Sequence, residues 1–311
     1  MSGICLVTGA SGFIGRALLR ELIRRGVPAH GVSRVIESGI DFAVGEIDAQ
    51  TDWLPVLANV NCVFHAAGRA HVLRDTARDP IASFRRVNVD GTRRLGMQAA
   101  EAGVKRLVFI SSIGVNGIST DGRGAFCSED MPAPVEPYGQ SKWEAEQALR
   151  EIEARTGLEV VIVRPPLVYG PGVQANFRRL IRLVQRGSPL PLGGVDNRRS
   201  LVALDNLLDM LILCAEHPAA SGKTLLVSDD EDLSTTDLLR RLGAAMGVQV
   251  RLLPVPRAVL LQAARLIGRR GEAERLLGSL QVEIGPTRKL LGWTPPISVD
   301  EGIRRTVGVL C

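Results

Sequence analysis

The sequence predicts an α/β protein, a doubly wound parallel sheet with a smaller, mostly helical lobe. Three observations carry that expectation. Short β-rich runs alternate with longer amphipathic segments through the first half of the chain. A glycine-rich turn separates the first apolar run from the first amphipathic stretch. From Pro165 onward the alternation gives way to RPPLVYGPG, GSPLPLGGVDN and WTPPIS, whose Pro and Gly mark loops of the kind that hold ligands above a sheet.

Taken in order, strands are expected at 4–8, 29–33, 62–66, 107–111 and 160–164, with helices at 13–25, 81–102 and 138–155, where apolar residues recur at three- and four-residue spacing. The C-terminal third reads as helices near 235–246, 258–267 and 300–309 with one or two short strands. This divides the chain into a dinucleotide-binding part, 1–165 with 198–228, and a substrate-binding lobe, 166–197 with 229–311. No internal repeat interrupts the pattern.

Composition narrows the function classes. With 311 residues, 45% of them hydrophobic and 23% charged, the chain can bury one large core or two smaller ones. Its net charge of +5 comes from 38 basic and 33 acidic side chains. All but four of the basic residues are Arg, yet no basic run exceeds a pair such as Arg24-Arg25, so they read as scattered solvated surface and no nucleic-acid partner is expected. Cys5, Cys62, Cys127, Cys214 and Cys311 are odd in number and widely spaced, without a CxxC pair, which points to a reducing compartment and no metal site. No stretch approaches the roughly 18 uninterrupted apolar residues of a span, and no basic leader opens the chain; a cytoplasmic protein with no membrane partner is expected.

The first strand, ICLVT, runs into Gly9-Ala10-Ser11-Gly12-Phe13-Ile14-Gly15. Gly9 and Gly12 would let backbone approach a pyrophosphate, Gly15 would let helix and strand pack closely, and the helix N-terminus would offer its free N–H groups. The second strand ends Gly31-Val32-Ser33-Arg34, without the acid that usually holds the adenosine ribose. A hydroxyl and a guanidinium there suit a 2′-phosphate, so NADP(H) is favoured over NAD(H). Glu46 and Ile47 are candidates to border the adenine, and Ala66-Ala67-Gly68 to give the cofactor a close backbone path.

Tyr138 and Lys142 form the second signal. In a chain with two Tyr and four Lys, this four-residue spacing arises by chance roughly three times in a hundred. On a helix the two side chains share a face. An adjacent ammonium favours the phenolate, which can then exchange a proton with a substrate hydroxyl or ketone.

TGASGFIG at 8–15, HAAG at 65–68, NVDGT at 88–92, FISS at 109–112, YGQSK at 138–142, RPPLVYGPG at 164–172 and RRSLVALDNL at 198–207 together give a chain that resembles, over nearly its whole length, the extended short-chain dehydrogenase/reductases. Within that family it is similar to the nucleotide-sugar 4-epimerases and 4-reductases. The resemblance implies a Rossmann-type fold, with Tyr138 as general acid/base, Lys142 on the nicotinamide ribose and Ser112 on the reacting oxygen; Ser111 is the alternative. It adds Asn88 and Pro165 to the cofactor site and places Asn176 and Arg199 near a substrate diphosphate. A guanidinium grips phosphate oxygens through paired hydrogen bonds. Where sugar dehydratases of the family carry an Asp-Glu pair, this chain has Ile113-Gly114, so dehydration is disfavoured.

The same resemblance implies an NAD(P)-dependent oxidoreductase acting at C4 of a UDP-sugar. Reduction of a UDP-4-keto-6-deoxy-N-acetylhexosamine in surface-polysaccharide synthesis is the leading expectation, and 4-epimerisation of a UDP-hexose with retained NAD is the alternative. A dehydrogenase of an apolar substrate comes third. Helices 81–102 and 138–155 are the expected faces of a homodimer.

Overall fold

The computed structural model describes residues 3–70 and 79–308, so Cys311 and the last residue of the helix expected at 300–309 lie outside the described residues. In chain order the elements are β1 (Ile4–Thr8), α1 (Phe13–Arg24), β2 (Ala29–Ser33), β3 (Phe42–Ala43), α2 (Leu54–Leu57), β4 (Val60–His65), α3 (Pro80–Arg85), α4 (Gly91–Glu101), β5 (Arg106–Ile110), α5 (Pro137–Thr156), β6 (Glu159–Arg164) and β7 (Leu167–Tyr169). They continue as α6 (Ala175–Gln185), β8 (Arg199–Ala203), α7 (Leu204–Glu216), β9 (Thr224–Leu226), β10 (Asp232–Leu233), α8 (Thr235–Ala245), α9 (Arg257–Leu266), α10 (Arg270–Leu277), α11 (Gly285–Leu291) and α12 (Val299–Gly308).

Seven strands form one parallel sheet in the order β3-β2-β1-β4-β5-β6-β9. Strand order reverses between β1 and β4, the switch point where open α/β sheets hold ligands at the carboxyl ends of their strands. β5 is buried along its length and β6 everywhere but its first residue, because helices cover both faces of the sheet. One face packs under α1 and α7, the other under α4 and α5. A second, three-stranded sheet, β10-β8-β7, has its own core with α6, α8 and α12.

One long helix was expected over 81–102. The chain instead runs through α3, a π-helical turn at Arg86–Asp90, and α4. The extra residue in that turn re-aims side chains without ending the helix, which apolar periodicity cannot reveal. Among the described residues, no helix is long and apolar enough to cross a membrane.

Candidate active site

The glycine turn is built as a cradle. Gly9 has φ +69°, and a Cβ there would lie 2.7 Å from the Ala67 nitrogen; a Cβ on Gly15 would lie 2.3 Å from the Gly9 carbonyl oxygen. Only glycine lets β1, the HAAG strand end and α1 meet this closely. Gly12 caps α1 with no side-chain hydrogen bond, so the first N–H groups, those of Phe13 and Ile14 among them, face the turn without a side-chain acceptor. The Ser11 carbonyl accepts from Arg16, and Phe13 packs between the first and third cores.

Around the turn the expected residues divide. Ala66, Ala67 and Gly68 follow β4, beside the cradle; a Cβ on Gly68 would sit 3.2 Å from Asn88 Oδ1 and 3.9 Å from Lys142 Nζ. Ser33 and Arg34 close β2, but the Ser33 hydroxyl donates to the Val35 carbonyl (2.5 Å) and Arg34 stands 3.5 Å from Glu46. A carboxylate therefore does sit beside the end of β2, supplied after β3 instead of by β2. Ile47 is buried in the second core, against Gly91 of α4.

Tyr138, Lys142 and Glu146 follow one another at four-residue steps along α5. Gly139 lets the start of this helix press on the turn that follows β5: a Cβ there would lie 2.5 Å from the Gly114 carbonyl oxygen. Ser112 stands half-buried in that turn, its Oγ accepting the Gly114 N–H (3.1 Å). Ser111 is not available to a ligand, since its hydroxyl is buried and donates to Glu146 (2.5 Å). Pro165 braces the same turn by accepting the Ile113 N–H.

The Tyr138 ring is half-buried, edge-on to Phe84 at 6.1 Å, and burial alone pushes its hydroxyl up to about 12. Lys142 is buried with Nζ 4.1 Å above the Phe109 ring; burial draws its ammonium down to about 7, while the Glu146 carboxylate pulls the other way. The expected activation of the phenol by the ammonium is thus not a property of these two side chains by themselves. Desolvation drives each toward its neutral form. Asn88, in the π-helical turn, donates to Ser141 Oγ (2.9 Å) and accepts the Arg69 N–H, and Ser141 in turn holds the Tyr138 carbonyl.

Beneath this site lies machinery the sequence reading missed. Glu146 receives a paired hydrogen bond from Arg164 (2.9 and 2.5 Å), and Arg164 also donates to Asn116 (2.9 Å). All three are buried. Asn116 therefore completes the guanidinium's shell. His65 is held neutral by burial, down to about 3, between the Thr8 and Thr92 hydroxyls. The four-residue step from Lys142 to Glu146 was the available signal for the first network; His65 carried no signal beyond its HAAG motif.

Arg199 is half-buried at the start of β8. One guanidinium nitrogen donates to the Arg275 and Gly278 carbonyls, and no ion pair to Asp196 forms. Burial draws its proton affinity down, and its hydrogen-bond acceptors among the described residues are neutral carbonyls. Asn176 lies exposed in the first turn of α6, within 3.5 Å of Arg179. The structure therefore gathers the cradle, Gly68, Asn88, Ser112, Tyr138 and Lys142, whereas Arg34 and Ile47 are engaged with protein groups.

The model of the NAD dependent epimerase/dehydratase family matches residues 5–227. The chain belongs to that family. It is 43% identical over 308 residues to a UDP-glucose 4-epimerase of Vibrio cholerae, covering 97% of this chain and 93% of that protein. A 2-alkyl-3-oxoalkanoate reductase of Stenotrophomonas maltophilia is 30% identical over 331 residues, covering 96% of this chain and 97% of that protein. The solved structure of MoeE5 in complex with UDP-glucose and NAD superposes with a TM-score of 0.77 at 25% identity, covering 99% of this chain and 98% of that one.

Proposed function

We propose that the protein moves hydride at C4 of a UDP-linked hexose and that 4-epimerisation is its net reaction. The observation that carries the reading is Tyr138: half-buried, four residues before Lys142 on α5, its proton held more firmly by burial and its hydroxyl without a hydrogen bond to a described residue. A half-buried hydroxyl with no partner among the described residues is free to bond a ligand. The 43% identity to a UDP-glucose 4-epimerase supports the substrate class.

In this reading Gly9, Gly12, Gly15 and the first N–H groups of α1 would hold the pyrophosphate of NAD, which would supply the acceptor and donor of hydride. Tyr138 takes the proton from the sugar's O4 and returns it, Ser112 hydrogen-bonds the same oxygen, and Lys142 orients the nicotinamide ribose while its positive charge favours the phenolate. Arg199 grips the substrate diphosphate with its remaining N–H groups, and Asn176 lies beside it. Ile113 and Gly114 offer no second acid–base pair, which argues against dehydration.

Reduction of a UDP-4-keto-6-deoxy-N-acetylhexosamine is the second reading; with NADP(H), Arg34 at the end of β2 would exchange its exposed contact with Glu46 for a 2′-phosphate. We further propose a cytoplasmic homodimer joined through α4 and α5, supported by Met97, half-exposed in a groove between these helices. Incubation with UDP-glucose, UDP-GlcNAc and a UDP-4-keto-6-deoxy-hexosamine, with and without NADPH, followed by product NMR, separates the readings. Interconversion of C4 epimers without added reductant is the expected result. NADPH-dependent loss of the keto sugar alone supports the second reading; neither change in folded protein overturns both.

A further inference from the structure

Counted along the whole chain the arginines look scattered, but the fold undoes that impression. Residues 170–195 hold four Arg and no acid, and residues 248–271 hold five Arg and no acid. The chain's +5 is therefore the balance of +9 in these two segments and −4 everywhere else. The fold joins them: Leu190 and Leu252 form a parallel bridge, and the Leu190, Leu253 and Gly193 N–H groups bond across it.

The same region exposes apolar bulk. Along 248–271, Leu253, Val259, Leu266 and Ile267 are 50%, 54%, 88% and 70% exposed. Val259 and Leu266 lie seven residues apart on one face of α9, a helix with no buried residue whose opposite side rests on the third core through Leu260 and Leu261. Arg257 pairs with Asp121 and Arg270 with Glu274 of α10. Arg251, Arg265 and Arg269 are exposed and have no acid within ion-pair distance among the described residues.

We propose that this face, α9 with its flanking arginines and the neighbouring end of α6, docks peripherally on a bilayer rich in anionic lipid. Apolar side chains ringed by unpaired guanidinium groups match an acyl boundary under negative headgroups. A second copy would bring a like-charged surface. The expectation of no membrane partner rested on the lack of a spanning segment, which does not bear on surface attachment. Arg257 to Asp121, and Arg275 of α10 to Glu136, tie this face to the segment leading into Tyr138.

Co-sedimentation of the full chain with vesicles of phosphatidylcholine alone, or with about one-third phosphatidylglycerol, tests this at about 0.1 M and about 1 M salt. The expected result is binding to the anionic vesicles that falls at high salt. It weakens at least about tenfold in Arg265→Glu with Arg269→Glu and in Leu266→Ser with Ile267→Ser, while both variants keep wild-type turnover of a soluble nucleotide sugar. Equal binding to both vesicle types, or binding untouched by either variant, overturns the proposal. So does displacement from vesicles by a single-stranded oligonucleotide bound at equal strength, which would make this a nucleic-acid surface. Dissociation of a dimer by the serine variant in sedimentation velocity would make it a contact between copies and overturn it too.

Discussion

Tyr138 and Tyr169, the chain's two tyrosines, occupy opposite kinds of surroundings. Tyr169 is fully buried, stacked on Phe177 at 5.3 Å, and donates to Asp229 (2.7 Å). Asp229 also accepts from the Ala203 N–H and the Asn206 side chain, so this phenol pins β7 and β8 to α7. Its proton is held more firmly than in a free phenol, by burial first and then by the Asp229 charge. Tyr138 has the same chemical group with no acceptor among the described residues. A satisfied buried hydroxyl specifies structure, and a half-buried one left without a partner is open to a ligand.

The most severe way to break this contrast is to cut the buried pair under the catalytic helix. Glu146→Gln leaves Arg164 without its counter-charge, and denaturant titration should show a loss of about 3–5 kcal/mol. An unchanged midpoint would mean that the pair adds nothing to holding α5 in place.

Next in size is a pH effect. The folded Lys142 sits at about 7, below its ordinary 10.5, so between these values the unfolded chain binds more protons and stability without ligand rises with pH. Lys142→Met removes that rise. Thermal melts should find the variant more stable than wild type by roughly 3–5 kcal/mol near pH 7, with the gap closing toward pH 10.5. Parallel curves would contradict a desolvated ammonium.

Smaller, and aimed directly at the two phenols, is a pair of stability measurements. Tyr169→Phe strands one oxygen of Asp229 and should lose about 1–3 kcal/mol. Tyr138→Phe removes a hydroxyl that bonds to no described residue and should stay within about 0.5 kcal/mol of wild type. Equal losses would erase the distinction.

Local features were legible in the sequence, and assembled ones were not. The glycine turn can be read because strand, turn and helix are contiguous, and Tyr138 with Lys142 because one helix supplies both. The Glu146 network draws Ser111, Asn116, Glu146 and Arg164 from four places in the chain, and only the sheet register joins them. Glu46 escaped notice as the acid beside β2 because it arrives after a strand of two residues. The acid-free segments were present in the sequence but vanish in a whole-chain charge, and only the fold joins them, through the Leu190–Leu252 bridge.

The central claim is that Tyr138 moves the proton at the sugar's C4 oxygen. Its most direct test is single-turnover hydride transfer, followed by reduced-nicotinamide absorbance, in Tyr138→Phe and Tyr169→Phe beside wild type. The account predicts a step slowed by about 10²–10⁴ in Tyr138→Phe and by less than about tenfold in Tyr169→Phe. A wild-type rate in Tyr138→Phe, or an equal slowing in both variants, would contradict it.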